Sequence, residues 1–365
     1  MRGGDGRGTG GSLMREVAVV AFAQSPSVRR EVERNEVEML MPVVREAIAR
    51  SGIAKSEIGF TVSGSCDYLA GQPFAFVSAL DAVGAWPPIV ESHVEMDGAW
   101  AFYEAWVKLQ TGEADSALVY AFGKSSMGDL PDVLTLQLDP YYVAPLWPDA
   151  VSLAALQARA FLEATGRSER DLAAVAVRSR RDARTNPMAQ LAGDGNVDAL
   201  LAEPYLVSPL RKHDCPPISD GCAAIVLAAG DLARRVVRRP AWIRGIDHRI
   251  EAHALGTRDL TRSASTAEAG RRAGVGQGSV DVAELHAPFT HQELIVRDAL
   301  GLGDGVRINP SGGALAANPM MVAGLVRIGE AARRVLDGEA GRAVAHATSG
   351  PCLQQNLVCV LEAGA

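Results

Sequence analysis

Paired cysteines are missing from this sequence. Its five cysteines, Cys66, Cys215, Cys222, Cys352 and Cys359, are scattered with no CxxC spacing. That argues against a zinc site or a disulfide framework and fits free thiols in a reducing cytoplasm. A long apolar run is missing too: nothing reaches the roughly 18 residues that a membrane-spanning helix needs. There is no excess of positive charge. The formal net charge is -7, which argues against nucleic acid as the main partner. The opening MRGGDGRGTGGSL lacks the apolar core of a secretory signal. Residues 1–14 therefore read as a disordered leader, with Met14 as an alternative start.

Apolar material is plentiful. The chain is 48% hydrophobic over 365 residues, enough for a sizeable core and for about two domains. Residues 17–23 read as a buried strand. Residues 35–51 have helical spacing, with Val37, Leu40, Val44 and Ile48 on one face, Asn35 as N-cap and Gly52 as the stop. Pro42 marks a kink or a later start. FTVSGSCDYLAG is a strand running into a loop, PFAFVSALDAVGA a helix, 98–110 a helix apolar on most sides, and SALVYAFGK another buried strand. Such βαβαβ order with all-apolar strands implies a sheet covered by helices on both faces.

From about 141 to 209 the pattern turns polar and helical, with helices expected at 151–165 and 168–186 in an insertion lying over the sheet. AAIVLAA resumes a strand. After RRVVRRP the scheme begins again: AWIRGIDHRI a strand, VAELHAPF a strand and loop, THQELIVRDAL a helix, GGALAANPMMVAGLVRIGEAARRVL one long helix, RAVAHATSG and NLVCVLEA closing strands. The expected fold class is α/β, with two similar βαβαβ halves at 15–235 (including an insertion at about 124–210) and 240–365.

The segments LHAPFTHQEL, NPSGGALAANPMMVAG and ATSGPCLQQN resemble the C-terminal half of thiolases. GKSSM, the buried helix and SPLRKHDCPPISDGCAAIVLA resemble the N-terminal half, and SCDYLAGQPFAFVSALDAVGAWPP is most similar to the lipid-transfer, sterol-carrier-type branch. The likeness covers residues 15–365. It implies α-β-α-β-α layers and a coenzyme A thioester as substrate, with no metal. It also implies a homo- or heterodimer with a thiolase-like chain, and for this branch a small OB-fold partner.

Working thiolases carry a nucleophilic cysteine at the N-terminus of a buried helix, an Asn or His in a loop that binds the thioester oxygen, a GHP histidine and a second cysteine in CxG. Here the first position reads Glu95-Met96-Asp97-Gly98, the GHP position reads Ala317-Asn318-Pro319, and CxG falls near Thr348 or Ser349. Only the loop motif persists in kind, as His286-Ala287-Pro288-Phe289. A carboxylate attacking a thioester would give a mixed anhydride, an uphill step, so thiolysis is not expected.

Asp97 reads as the N-cap of the buried helix, or as an acid of the site; His93 as a structural histidine, or as a base close to it. His286 is the leading candidate for polarising a thioester, against a satisfied loop histidine. His346 ends a strand and could replace a missing base. Asn318 can donate to a carbonyl oxygen but cannot take a proton. Cys352 reads as a small buried hydrophobe rather than a displaced thiol. Gly312 and Gly313 are expected to let backbone approach a pantetheine arm. Arg178, Arg180, Arg181 and Arg184 either meet coenzyme A phosphates or form a solvated face. Two functions remain: an acyl-CoA lyase of retro-aldol type, or a non-catalytic subunit of an active paralogue.

Overall fold

The computed structural model describes residues 14–364; nearly all of the expected leader lies outside them. Twelve strands are present among the described residues: β1 (Val17–Gln24), β2 (Phe60–Gly64), β3 (Glu91–Val94), β4 (Ser116–Gly123), β5 (Tyr205–Val207), β6 (Leu210–Arg211), β7 (Gly221–Ala229), β8 (Ala241–Ile250), β9 (Val282–Leu285), β10 (Arg307–Ile308), β11 (Arg342–Ser349) and β12 (Gln355–Ala363). The helices are α1 (Glu36–Ser51), α2 (Asp67–Ala70), α3 (Ala75–Val83), α4 (Gly98–Thr111), α5 (Leu130–Leu136), α6 (Ala150–Thr165), α7 (Glu169–Asp182), α8 (Val197–Leu201), α9 (Gly230–Val236), α10 (Ala264–Ala273), α11 (Thr290–Leu300) and α12 (Ala323–Leu336).

The main sheet has the order β10-β9-β11-β12-β8-β1-β7-β4-β2-β3. Read outward from its middle, the two halves repeat one plan. β1 pairs antiparallel with β7, β7 antiparallel with β4, and β4 parallel with β2, which runs parallel to β3. In the same way β8 pairs with β12, β12 with β11, and β11 parallel with β9, beside β10. The halves meet where β8 pairs with β1 through Ala18–Trp242 and Val19–Ala241 alone.

Three cores set the layers. The central one holds α4 and α12 between the inner faces of both half-sheets. A second packs α1 and α3 on the outer face of the first half, and a third packs α10 and α11 on that of the second. This is the expected α-β-α-β-α arrangement. α4 has no polar stripe because it is enclosed: Ala99, Ala101, Phe102, Ala105 and Leu109 are fully buried.

α1 is built as its sequence demands. Asn35 Oδ1 accepts from the Glu38 amide at 2.9 Å and Glu38 Oε2 from the Asn35 amide at 2.8 Å, a reciprocal cap, and Gly52 closes the helix with φ 68°. The helix runs through Pro42 rather than starting after it.

Three departures from the sequence reading stand out. The long helix expected from Gly312 begins only at Ala323, because Gly312, Gly313 and Met321 take left-handed conformations that no helix accepts. α10 was not expected, since ASTAEAGRRA carries no large apolar residue; small residues Ala269, Gly270 and Ala273 bury it. The edge strand β3 was not expected either. The inserted helices α6 and α7 lie over the sheet on the side of the second half, sharing a core with α11 and with β9, β11 and β12.

Candidate active site

One cavity of about 320 Å³ opens where the two halves meet. Its polar floor is formed by Asp97, His286, Asn318 and Thr348, while Leu134, Leu138 and Leu153 give it an apolar wall. Asp97 precedes α4 in the first half; the other three floor residues belong to the second.

Asp97 is 3% exposed. Its Oδ1 accepts from the Ala99 amide at 2.8 Å and the Leu325 amide at 3.1 Å, and its Oδ2 from the Gly324 amide at 2.9 Å. One carboxylate therefore caps α4 and also the first turn of α12, whose own N-cap, Val322, offers no side-chain bond. Both positive helix ends converge on it. Burial pushes its carboxyl above the usual range, against the three amides that favour the charged form. Gly324 is required here: a Cβ would stand 2.5 Å from Asp97 Oδ1 and 2.7 Å from Ala347 Cβ.

His286 follows β9. Its Nδ1 accepts from the Thr348 amide at 3.4 Å, which assigns the proton to Nε2; Nε2–H then donates to Asn318 Oδ1 at 3.1 Å. Burial, with His346 and Arg327 adding to it, pushes the imidazole down to about 3, so the ring is neutral. Because Asn318 Oδ1 is committed to His286, Asn318 Nδ2 is left as a donor with only Met320 Sδ at 4.0 Å. The Asn318 backbone is fixed by Ser219 Oγ, which accepts from its amide at 3.1 Å. The loop beyond it lies tight against β4, where a Cβ on Gly123 would meet the Met320 carbonyl at 2.0 Å.

Behind the floor, Glu284 Oε2 accepts from Arg327 Nη1 at 3.0 Å and from Ser311 Oγ at 2.6 Å, an ion pair shut off from solvent. On the wall, Gln292 donates to Gln157 Oε1 at 3.0 Å, and His291 bonds the same oxygen at 3.2 Å. The sequence reading missed Gln292 as a cavity residue. Nothing in THQELIVRDAL sets Gln292 apart from the other polar residues of that helix.

The cavity thus gathers Asp97, His286 and Asn318 and omits other expected residues. His346 is fully buried with Nε2 bonded to Asn356 Oδ1 at 2.9 Å, and it does not line the cavity. It sits within β11 two residues before the floor residue Thr348, and its carbonyl accepts from the His286 amide at 3.0 Å, but its ring is turned to Asn356. His93 lies on the edge strand β3, bonded to Ser63 Oγ at 3.0 Å and Glu95 at 3.2 Å and stacked on Phe76; it too is off the cavity. Gly312 and Gly313 do not line it either. Their φ values of 97° and 65° make a turn packed against Ala183 and Asn309.

Arg181 bonds its neighbour Asp182 at 3.0 Å, Arg184 bonds Asp194 at 2.7 Å, and Arg178 is held by Glu293 inside the protein. None of the three lines the cavity. Cys352 does line it, but burial pushes its thiol up to about 11, so it stays protonated at neutral pH. Among the described residues no cluster is arranged to hold a metal ion, and no helix is long and apolar enough to cross a membrane.

No family model matches the chain. Individual proteins do. The chain is 29% identical over 289 residues to acetyl-CoA acetyltransferase of Methanothermobacter thermautotrophicus, covering 70% of this chain and 73% of that protein. It is 24% identical to human sterol carrier protein 2 over 377 residues, 91% of this chain and 68% of the relative. It is 27% identical over 222 residues to 17-hydroxy-3-oxo-4-pregnene-20-carboxyl-CoA lyase of Mycobacterium tuberculosis, 58% of this chain and 57% of that one. Among solved structures, an Ltp2-ChsH2(DUF35) aldolase superposes with a TM-score of 0.80 over 95% of this chain and 98% of its own, at 20% identity, a likeness of fold.

Proposed function

We propose that this chain, which belongs to the thiolase superfamily, acts on acyl-CoA thioesters by cleaving a carbon–carbon bond in a retro-aldol manner rather than by thiolysis. The observation that carries the reading is the Asn318 amide, aimed by His286 and facing the same cavity as Asp97, where no ionised thiol stands. Retro-aldol cleavage needs a donor for an enolate oxygen and a base for a β-hydroxyl, and no nucleophile. Asn318 Nδ2 is the donor; His286 is the residue that orients it.

Of the titratable side chains facing the cavity, Asp97 has the best claim as base. Both nitrogens of His286 are engaged, and the Cys352 thiol is protonated. A carboxylate offers about four lone-pair sites, and the three amides leave one free on Asp97. The β-hydroxyl proton passes to that oxygen. The Cα–Cβ electron pair collapses into the thioester enolate, a carbonyl forms at Cβ, and the proton returns to Cα. The lyase relative, named for a pregnene carboxyl-CoA, supports a bulky sterol-like acyl group, as does the apolar wall.

A second reading is that the chain works only beside a partner, a thiolase-like paralogue or a small OB-fold protein. Tyr141, Tyr142 and Leu146 favour it; they are 81%, 79% and 79% exposed on the segment that follows α5. The two-component name of the aldolase neighbour points the same way.

The test is an assay of β-hydroxyacyl-CoA and β-ketoacyl-CoA cleavage by the purified chain, alone and with proteins encoded beside it. The first reading expects cleavage of the hydroxy substrate by the chain alone, reduced roughly 10²–10³-fold in Asn318→Ala. Cleavage that needs a second thiolase-like protein and ignores Asn318→Ala would sink it in favour of the second.

A further inference from the structure

A second cleft, of about 480 Å³, lies on the seam between the halves and shares no residue with the cavity described above. It exists because of how β1 is paired. β8 begins opposite Val19, so from Val20 onward that edge of β1 has no strand beside it. Val20 is also skipped in the pairing with β7, where the register jumps from Val19 to Ala21. Such a bulge leaves its residue's backbone groups outside the ladder. Val20, Ala21 and Phe22 form one side of the cleft.

The other sides carry four arginines: Arg50 from the end of α1, Arg238 and Arg239 from the link between α9 and β8, and Arg333 from the last turn of α12. Two of them are balanced. Arg50 pairs with Glu46 at 2.5 Å, and Arg333 pairs with Glu330 and Asp337, each at 3.1 Å. The other two are not. Arg239 donates only to carbonyls, those of Val335 at 2.8 Å and Ala340 at 3.2 Å. Arg238 has no side-chain partner among the described residues, and both are exposed. Asp337 is the one acid of the lining. In a chain whose formal net charge is -7, two consecutive arginines without a carboxylate partner, both lining a concave site, form a local positive spot. The fork of a guanidinium matches phosphoryl and carboxylate oxygens in pairs.

We infer that this seam cleft is a binding site for a small, multiply charged oxyanion, held by Arg238 and Arg239 beside the stretch of β1 that has no strand neighbour and whose Phe22 carbonyl accepts from Arg50 at 2.9 Å. The site is independent of the reaction assigned to the cavity. Its ligand is a compound bearing two or more phosphoryl or carboxylate groups, bridging the first half, through β1, and the second, through the end of α12.

Calorimetric titration of the full chain at low salt tests this, with pyrophosphate and citrate as probes. Saturable binding of one of them is expected, which also tells a phosphoryl from a carboxylate ligand. Binding should weaken at least tenfold in Arg238→Glu, stay unchanged in Arg262→Glu on a distant loop, and tighten in Asp337→Asn. Absence of saturable binding by both probes would overturn the inference, as would binding that Arg238→Glu leaves intact. Circular dichroism of each variant separates a lost site from a lost fold.

Discussion

The two central helices hold matching places in matching halves, yet their ends are satisfied differently. α4 is capped by the residue before it, Asp97, at its own N-terminus. α12 has no such side chain and takes its cap from the same Asp97, 227 residues earlier in the chain. Repetition of a fold therefore does not repeat its chemistry. The halves are alike in strand order, but one acid in the first completes a helix in the second, and the polar floor is assembled across that join.

The comparison breaks most severely if the shared acid is removed. Asp97→Ala strips three amides of a charged acceptor and is expected to cost about 3–5 kcal/mol, read as a shift of the urea midpoint. An ordinary single cap is the reference: Asn35→Ala, which uncaps α1 alone, should cost about 1 kcal/mol. Equal losses in the two variants would show that α12 does not depend on Asp97.

Acid sharpens the contrast between the halves. His286, His291 and His346, all in the second half, are held neutral by burial, with values lowered to about 3, about 3 and about 4. The unfolded chain binds those protons near pH 6.5, so stability is full above that value and falls as the pH drops towards about 3. Each histidine should cost about 2 kcal/mol at pH 5. Amide exchange at pH 5 should open β9, β11 and α11 before β2 and β4; uniform opening would contradict the contrast.

A smaller effect tests the α12 side alone. Gly324→Ala inserts a methyl group against Asp97 and Ala347, an overpacking worth about 1–3 kcal/mol. Exchange at the first turn of α12 should rise while α4 keeps its protection, because the bond from the Ala99 amide can survive the shift.

Much of the fold was legible because its signals are local. Asn35 and Gly52 mark the ends of α1 by themselves, and the short apolar runs of β1, β4 and β7 read as strands covered on both faces. α10 was illegible because its burial depends on fitting small residues closely, with Gly270 against Leu300, and small residues make no amphipathic stripe. The start of α12 was misread because left-handed Met321 follows from tertiary position, not residue type.

At the site, Asp97, His286 and Asn318 were legible as residues, and their roles were not. Sequence could not show that Thr348 fixes the His286 tautomer, that His286 turns the Asn318 amide, or that Asp97 serves two helices. His346 stands only two positions before the floor residue Thr348, yet its ring is bonded to Asn356 instead of lining the cavity, an orientation that no local sequence signal carries.

The shared cap also orders events in time. During synthesis Asp97 and α4 emerge long before Gly324 and Leu325 exist, so the first half must wait with one face of its buried helix uncovered and two acceptor positions unfilled. Closing a contact of that sequence separation is slow. Completion of the central layer is therefore expected among the last steps of folding, and an N-terminal half released alone should expose α4 and aggregate.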